Sequence, residues 1–152
     1  MIVRKAKLRD IPQIVDMWVK LYKERDMTFH ITDEDNQERC FYMLTQAITV
    51  DKAYVFVAEE EVNLVGYASG MIINYPYGFP TACSVHDIYI DPAHRNGRAL
   101  KMLMAMAYKY GKDQGAEVAE IYSPPDKVER YKKMGFETVN TKMMKMIGGH
   151  YG

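Results

Sequence analysis

A strand, loop, helix and second strand follow one another over residues 83–122, and this run limits the fold more than any other feature. The segment "CSVHDIYI" predicts a strand, and apolar side chains recur at helical spacing from about Gly97 to Gln114. Gly115 suits the left-handed position just beyond a helix, and "EVAEIY" predicts the next strand. Because a strand–helix–strand crossover joins parallel strands, we expect these two strands to run parallel in one sheet.

The rest of the chain predicts antiparallel strands and further helices. Asp10 and Pro12 predict the start of a helix that continues to about Lys23, and a Thr32–Asp35 capping box predicts a second helix to about Val50. The other segments predict a strand at 2–8, a hairpin at 53–60 and 64–75, a short helix at 127–134, and a last strand or tight hairpin at 136–147. The element order is β-α-α-β-β-β-α-β-α-β, an α/β fold with a mixed central sheet flanked by helices.

Length and composition bound the class of protein. The 152 residues correspond to one domain, which we place at residues 1–147, with residues 148–152 as a flexible tail. With 20 basic and 20 acidic side chains the net charge is zero, which argues against a nucleic-acid or membrane-surface partner. The apolar runs are too short for a membrane span, and two cysteines make no disulfide framework. We therefore expect a cytoplasmic protein with two free thiols.

The loop between residues 91 and 98 has the chemistry of an anion site. Its segment "HRNGRA" contains one histidine, two arginines and a glycine, and it lies between the end of a predicted strand and the start of a predicted helix. A helix start exposes unpaired N–H groups and partial positive charge, and glycine lets the backbone approach a phosphate closely. An ordinary polar loop capped by Asn96, with solvated arginines, is the other interpretation of the same residues.

Three motifs resemble the GNAT superfamily of N-acetyltransferases. "HRNGRA" matches its [Q/R]-x-x-G-x-[G/A] loop with His94 in the first slot; alternatively Arg95 is the family's arginine and the loop is one residue shorter. "IYIDP" resembles the family's fourth strand, and "YKKMGF" resembles its Y-x-x-x-G-F segment. The element order also agrees with the GNAT fold, so the resemblance covers nearly the whole chain. The last segment departs from it, because about a dozen residues stand where the family has a longer hairpin.

The resemblance implies acetyl-coenzyme A as co-substrate, with no metal. The backbone along the fourth strand would hold the pantetheine arm, with Ile88 and Ile90 pairing to its amides between two splayed strands. Backbone amides of the loop would bind the pyrophosphate. The cofactor-binding residues implied in this way are Ile88, Tyr89, Ile90, His94, Arg95, Asn96, Gly97, Arg98 and Ala99.

Acetyl transfer to an amine requires a base for the amine and benefits from a proton donor for the departing thiolate. By the resemblance, His86 aligns with a glutamate that often serves as base, and Tyr131 aligns with a tyrosine that donates to the sulfur. Asp87 faces the opposite side by strand alternation, unless a bulge changes it. Direct attack needs no nucleophilic side chain, so Cys40 and Cys83 are interpreted as buried packing residues.

Two functions follow as hypotheses. The first is an acetyl-CoA-dependent N-acetyltransferase acting on a primary amine of a small molecule or peptide by direct attack in a ternary complex. The second is a non-catalytic acyl-CoA-binding or regulatory module with the same fold. A cationic amine is favoured by the acidic residues Glu24, Asp26, Asp33, Glu34, Asp35 and Glu38, although acidic side chains also favour a helix start for local reasons. An exposed strand edge beside the short last segment is compatible with a homodimer.

Overall fold

The computed structural model describes residues 1–25, 33–145 and 147–148, and these contain five strands and four α-helices. The strands are β1 (Ile2–Lys5), β2 (Ala53–Glu60), β3 (Asn63–Ile73), β4 (Ala82–Ile90) and β5 (Val118–Ile121). The helices are α1 (Ile11–Glu24), α2 (Glu34–Thr49), α3 (Arg98–Asp113) and α4 (Val128–Lys133).

The strands form one sheet in the order β1-β2-β3-β4-β5. The first four strands pair antiparallel, and β4 pairs parallel with β5 through the α3 crossover. This confirms the expected mixed α/β sheet and the parallel relation of the last two strands. The β4–β5 pairing covers only Ala82–Val85 of β4.

A separate apolar core lies on each face of the sheet. On one face, α3 buries Ala99, Leu103 and Ala107 completely against the sheet. On the other face, α1 and α2 pack over a cluster that contains Ile14 and the strand residue Tyr67. The three-to-four-residue spacing of the buried α3 side chains is what one sheet-facing stripe of a helix requires.

Three details of the predicted elements are wrong. Residues 136–145 form no strand, so the expected last strand is absent from the described part of the chain. The first strand ends at Lys5 rather than at residue 8. Asp10 does not cap α1, because its carboxylate instead accepts hydrogen bonds from Arg4 and from the Lys7 backbone N–H.

The start of α2 also differs from the predicted capping box. Asp33 is the N-cap, and its Oδ1 accepts a 2.8 Å hydrogen bond from the N–H of Asn36. Thr32 and Asp26 lie outside the described residues. Both cysteines are free as expected, with Cys83 buried and Cys40 half-buried.

Candidate active site

A β-bulge at His86 divides β4 into two halves. Val85 pairs with Gly70 of β3, whereas Ser69 pairs with Asp87, so His86 is the extra residue. A bulge interrupts strand alternation. As a result Asp87 lies on the α1 side of the sheet, where its carboxylate meets Tyr22, and His86 is exposed.

Beyond the bulge, β4 is no longer paired with β5, which ends at Ile121. Their last paired residues are Val85 and Ile121, although β4 continues to Ile90. The N–H of Asp91 donates to Val65 of β3, so by alternation the backbone groups of Ile88 and Ile90 face away from β3. Unpaired strand edges can accept an added extended chain. Ile88 and Ile90, predicted to pair with the pantetheine amides, therefore lie on the part of β4 that β5 does not pair, and Tyr89 points its buried side chain into the core instead.

The loop after β4 leads directly into the first turn of α3. Gly97 adopts a positive φ of 90° as the N-cap, and the side chain of Asn96 accepts a hydrogen bond from the N–H of Arg98. The N–H groups of Ala99 and Leu100 have no hydrogen-bond partner in the described parts of the chain. Free amides at the positive end of a helix suit a phosphate group.

The guanidinium group of Arg95 makes its contacts within the protein. Its Nε donates to the carbonyl of Ile90 at 2.7 Å, and its Nη2 lies 2.8 Å from Oε1 of Glu24. The guanidinium also stacks over the ring of Tyr89, 5.5 Å from the ring centroid. Arg95 therefore fixes the loop to β4 and to the end of α1, while Arg98 is exposed at the start of α3.

His94 is half-buried in the same loop. Its Nδ1 is buried and has no partner among the residues that the structure describes. Its backbone N–H is used locally and donates to the carbonyl of Asp91. Counting only partners among the described residues, the loop thus combines an unpartnered polar ring atom, unpartnered helix-start amides and the exposed guanidinium of Arg98.

Tyr131 is held by the end of α4. The N–H of Phe136 donates to the Tyr131 carbonyl and the N–H of Gly135 donates to the Lys132 carbonyl, which together form a Schellman motif. This closure brings the rings of Phe136 and Tyr131 to 5.9 Å in an edge-on contact. Gly135 takes the required positive φ of 94°. The "YKKMGF" pattern is therefore a structural device that fixes the tyrosine.

The phenol of Tyr131 is in a partly buried environment. Burial raises its pKa, while the positive charges of Arg130 and Arg25 lower it. Arg25 also acts on Asp87, whose pKa burial raises and Tyr22 and Arg25 lower. Arg25, at the end of α1, is therefore one cause of the pKa of both Tyr131 and Asp87.

Asp87 lies in a polar cluster on the α1 side of the sheet. Tyr22 donates a 2.7 Å hydrogen bond to its Oδ1, and Nη1 of Arg25 lies 3.9 Å from the same oxygen. The hydroxyl of Tyr67 is buried in this cluster and has no partner among the described residues. Burial, followed by the nearby Asp87 charge, raises the pKa of the Cys40 thiol to about 12. The thiol thus stays protonated, in keeping with a residue that is not a nucleophile.

Two cavities lie away from these residues. One of about 200 Å³ lies between the end of α2, β2 and Tyr110, and another of about 300 Å³ lies beside Arg4 and Glu59. In the described ranges, no three His, Cys, Asp or Glu side chains are grouped to hold a metal ion. No helix of those ranges is long and apolar enough to cross a membrane.

Comparison with known proteins identifies the family. The model of the acetyltransferase (GNAT) family matches residues 16–136. The chain therefore belongs to the GNAT acetyltransferase family. No curated protein sequence matches the chain.

Solved structures share the fold at low sequence identity. A predicted acetyltransferase from Clostridium acetobutylicum, solved with acetyl-CoA, is 18% identical with a TM-score of 0.81, over 95% of each chain. The aminoglycoside N-acetyltransferase AAC(6′)-Iy, solved with CoA, is 15% identical with a TM-score of 0.76, over 96% of this chain and 93% of that one. A transcriptional regulator from Bacillus halodurans is 16% identical with a TM-score of 0.79, over 96% of this chain and 99% of that one.

Sequence reasoning missed Tyr22 of α1, and it grouped Glu24 with the acidic residues that would favour a cationic amine, whereas Glu24 pairs with Arg95 of the loop. Tyr22 and Glu24 contact Asp87 and Arg95, which lie 65 and 71 positions away in sequence. No local pattern links positions so far apart. A signal for the bulge did exist, because Gly70 in β3 faces it and a glycine inside a strand often marks a bulge or a close approach.

Proposed function

We propose that the protein transfers the acetyl group of acetyl-CoA to a primary amine of a small molecule or peptide. The observation that carries this proposal is that β5 does not pair with β4 beyond Val85, directly before a loop and helix start whose amides have no partner among the described residues. Family membership supports it. Acetyl-CoA supplies the activated acetyl group as a thioester.

In this proposal the chain binds acetyl-CoA in two places. The N–H groups at the start of α3, with the exposed Arg98, hold the pyrophosphate. The backbone of Ile88 and the N–H of Ile90 pair with the pantetheine amides along the edge of β4 that β5 leaves unpaired. The Ile90 carbonyl is already engaged by Arg95 and serves to fix the loop instead.

His86 takes the proton of the attacking amine. It is exposed at the bulge, at the point where β5 stops pairing with β4, and a neutral imidazole has a ring nitrogen that can accept a proton. The amine nitrogen forms a bond to the acetyl carbon while the carbon–sulfur bond breaks. Tyr131 gives its proton to the departing sulfur, and both groups regain their starting state by exchange with solvent.

The test has two stages with purified protein. Calorimetric titration with acetyl-CoA, beside ADP and ATP, measures selectivity for the co-substrate. Release of free thiol in the presence of a panel of primary amines then measures transfer. We expect binding of acetyl-CoA that is much tighter than that of the nucleotides, and amine-dependent thiol release that falls about 100-fold or more in His86→Gln.

Two results would count against this function. Tight acetyl-CoA binding without thiol release for any amine would favour the non-catalytic acyl-CoA-binding module, an alternative in line with the regulator that shares the fold. Absence of acetyl-CoA binding would overturn both. Full activity in His86→Gln would remove His86 from the base role.

A further inference from the structure

The segment that follows α4 places a lysine against the end of β5. Nζ of Lys142 lies over the ring of Tyr122, 5.4 Å from the ring centroid, which is the geometry of a cation–π contact. Tyr122 is the first residue after β5, and its side chain is 55% exposed. The ring of Tyr122 therefore sets where this ammonium group lies on the surface.

No carboxylate competes with the ring for Lys142. Within the described residues Lys142 forms no ion pair. Glu120, two residues before Tyr122, accepts a 2.6 Å hydrogen bond from the hydroxyl of Tyr75 instead. A lysine amine without a carboxylate partner can leave an aromatic ring at little cost, because an exposed cation–π contact is worth only about 0.5–1 kcal/mol.

The strand register brings Tyr122 to the side of the proposed base. Val85 and Ile121 are the last paired residues of β4 and β5, and His86 and Tyr122 are the next residue of each strand. Neighbouring strands lie about 4.8 Å apart and consecutive Cα atoms about 3.8 Å apart, so the Cα atoms of His86 and Tyr122 are within about 12 Å. Both side chains are exposed.

Lys142 thus presents an amine at the place where the proposed reaction needs one. Its side chain ends in a primary amine on a flexible four-carbon stem, which is the chemistry of the proposed acceptor. Because the amine belongs to the same chain as the proposed base, no separate binding step is needed to bring it there. Such tethering gives an amine a far higher effective concentration than the same amine free in solution.

We propose that Lys142 accepts the acetyl group of acetyl-CoA bound to its own chain. This inference rests on the proposed transfer reaction and adds an acceptor that the protein itself carries. Nζ of Lys142 gives a proton to His86 and forms a bond to the acetyl carbon, while the carbon–sulfur bond breaks and the sulfur takes the proton of Tyr131. The products are an acetylated Lys142 and free CoA.

Acetylation changes the contact that positions the lysine. An acetylated amine carries no charge, so it loses the attraction to the ring of Tyr122. The segment around Lys142 is then without this contact to the end of β5. Each chain therefore undergoes the reaction once at Lys142 and afterwards has the ring of Tyr122 unoccupied.

Mass spectrometry with labelled acetyl-CoA tests the proposal. The purified full chain is incubated with acetyl-CoA that carries a ¹³C-labelled acetyl group, which distinguishes new acetyl groups from any acquired during expression. Lys145, an exposed lysine of the same segment, is the internal control for uncatalysed acetylation. We expect Lys142 to gain label about tenfold or more faster than Lys145, at a rate that is independent of protein concentration. Equal rates at the two lysines, or a rate that rises with protein concentration, would overturn the proposal.

Variants separate a positioned lysine from one that is merely exposed. Tyr122→Leu removes the ring and should slow the labelling of Lys142 about 2- to 5-fold, whereas Tyr122→Phe retains the ring and should restore it. His86→Gln should reduce the rate at Lys142 to the rate at Lys145, and Lys142→Arg should remove the fast labelling altogether. Unchanged labelling of Lys142 in both Tyr122→Leu and His86→Gln would overturn the proposal.

Added amines distinguish this inference from the proposed function. Transfer to an added amine while Lys142 stays unlabelled would overturn the inference and leave the proposed function standing. Fast labelling of Lys142 without transfer to any added amine would support the inference and overturn the small-molecule or peptide acceptor. Absence of both reactions would overturn both.

Discussion

One guanidinium nitrogen of Arg95 lies 2.8 and 3.0 Å from the two carboxylate oxygens of Glu24. The contact joins the loop after β4 to the last turn of α1. It therefore links the part of the chain that we propose to bind phosphate with the helix that supplies Tyr22 and Arg25. Loss of this contact should therefore change the order of the loop more than the stability of the fold.

Glu24→Gln tests that relationship. The two side chains are 34% and 42% exposed, so the pair adds less than about 1 kcal/mol to the free energy of unfolding. The freed loop must be ordered when acetyl-CoA binds, and we expect its Kd to rise about 3- to 10-fold. Calorimetry and urea unfolding measure the two quantities. Glu129→Gln, which breaks the exposed pair with Lys132, is the control and should change neither. An unchanged Kd in Glu24→Gln would contradict the expectation.

Gly97 and Gly115 form a matched pair for a second prediction. Their φ angles are 90° and 86°, and a methyl group at either position meets no atom within 4 Å. Alanine at either position should therefore cost about 1–2 kcal/mol of stability through backbone strain alone. Only Gly97→Ala should also weaken acetyl-CoA binding, because Gly97 opens the helix start that we propose to hold the pyrophosphate. Equal acetyl-CoA affinities for the two variants would refute this assignment.

Tyr131→Phe should lower kcat about 100-fold and leave the Kd for acetyl-CoA unchanged, because it removes only the proton donor. Burial raises the pKa of Tyr131. The phenol therefore ionises at a higher pH than an ordinary tyrosine, and its ionisation should cause no loss of wild-type activity near neutral pH. The pH dependence of kcat measures this. Tyr108→Phe, at a half-exposed neighbour on α3, is the control. Equal loss in the two variants would indicate packing rather than proton donation.

Asp10 gives a prediction about acid stability. Arg4 donates 2.8 and 3.1 Å hydrogen bonds to its carboxylate, and these bonds hold its pKa below the usual value. A lowered pKa in the folded state stabilises the protein above the unfolded pKa of about 4, and that contribution is lost as pH falls through the folded pKa. Asp10→Asn should cost about 2–3 kcal/mol at pH 7 and progressively less below about pH 4. Urea unfolding across this range measures it, and a pH-independent difference would argue against the ion pair.

The sequence predicted the elements of the fold well where one physical pattern decided them. The helical spacing of the α3 side chains and the glycine that follows the helix fixed that crossover, and the structure agrees. The strand predicted at 136–147 failed for a different reason. A strand exists only through its partner, and nothing in that segment's own residues reports whether a neighbouring edge is available.

The candidate site was predictable only in part. The loop around Gly97 and the Tyr131 segment carry local motifs, so the sequence locates them. The position of Asp87 depends on which β3 residue it faces, and the bulge at His86 shifts that register by one. The groups that hold the loop and the carboxylate come from α1, far away in sequence, and only the folded chain brings them together.

β4 has two neighbours in its first half and one neighbour in its second half. The second half nevertheless keeps its extended shape, because β3 holds it along one side. Its outward N–H groups are thus already fixed in position and have no partner among the described residues, so deuterium should replace their hydrogens far sooner than those of the paired half. A molecule that binds along this edge meets backbone that is already ordered, so the protein loses little conformational entropy there on binding.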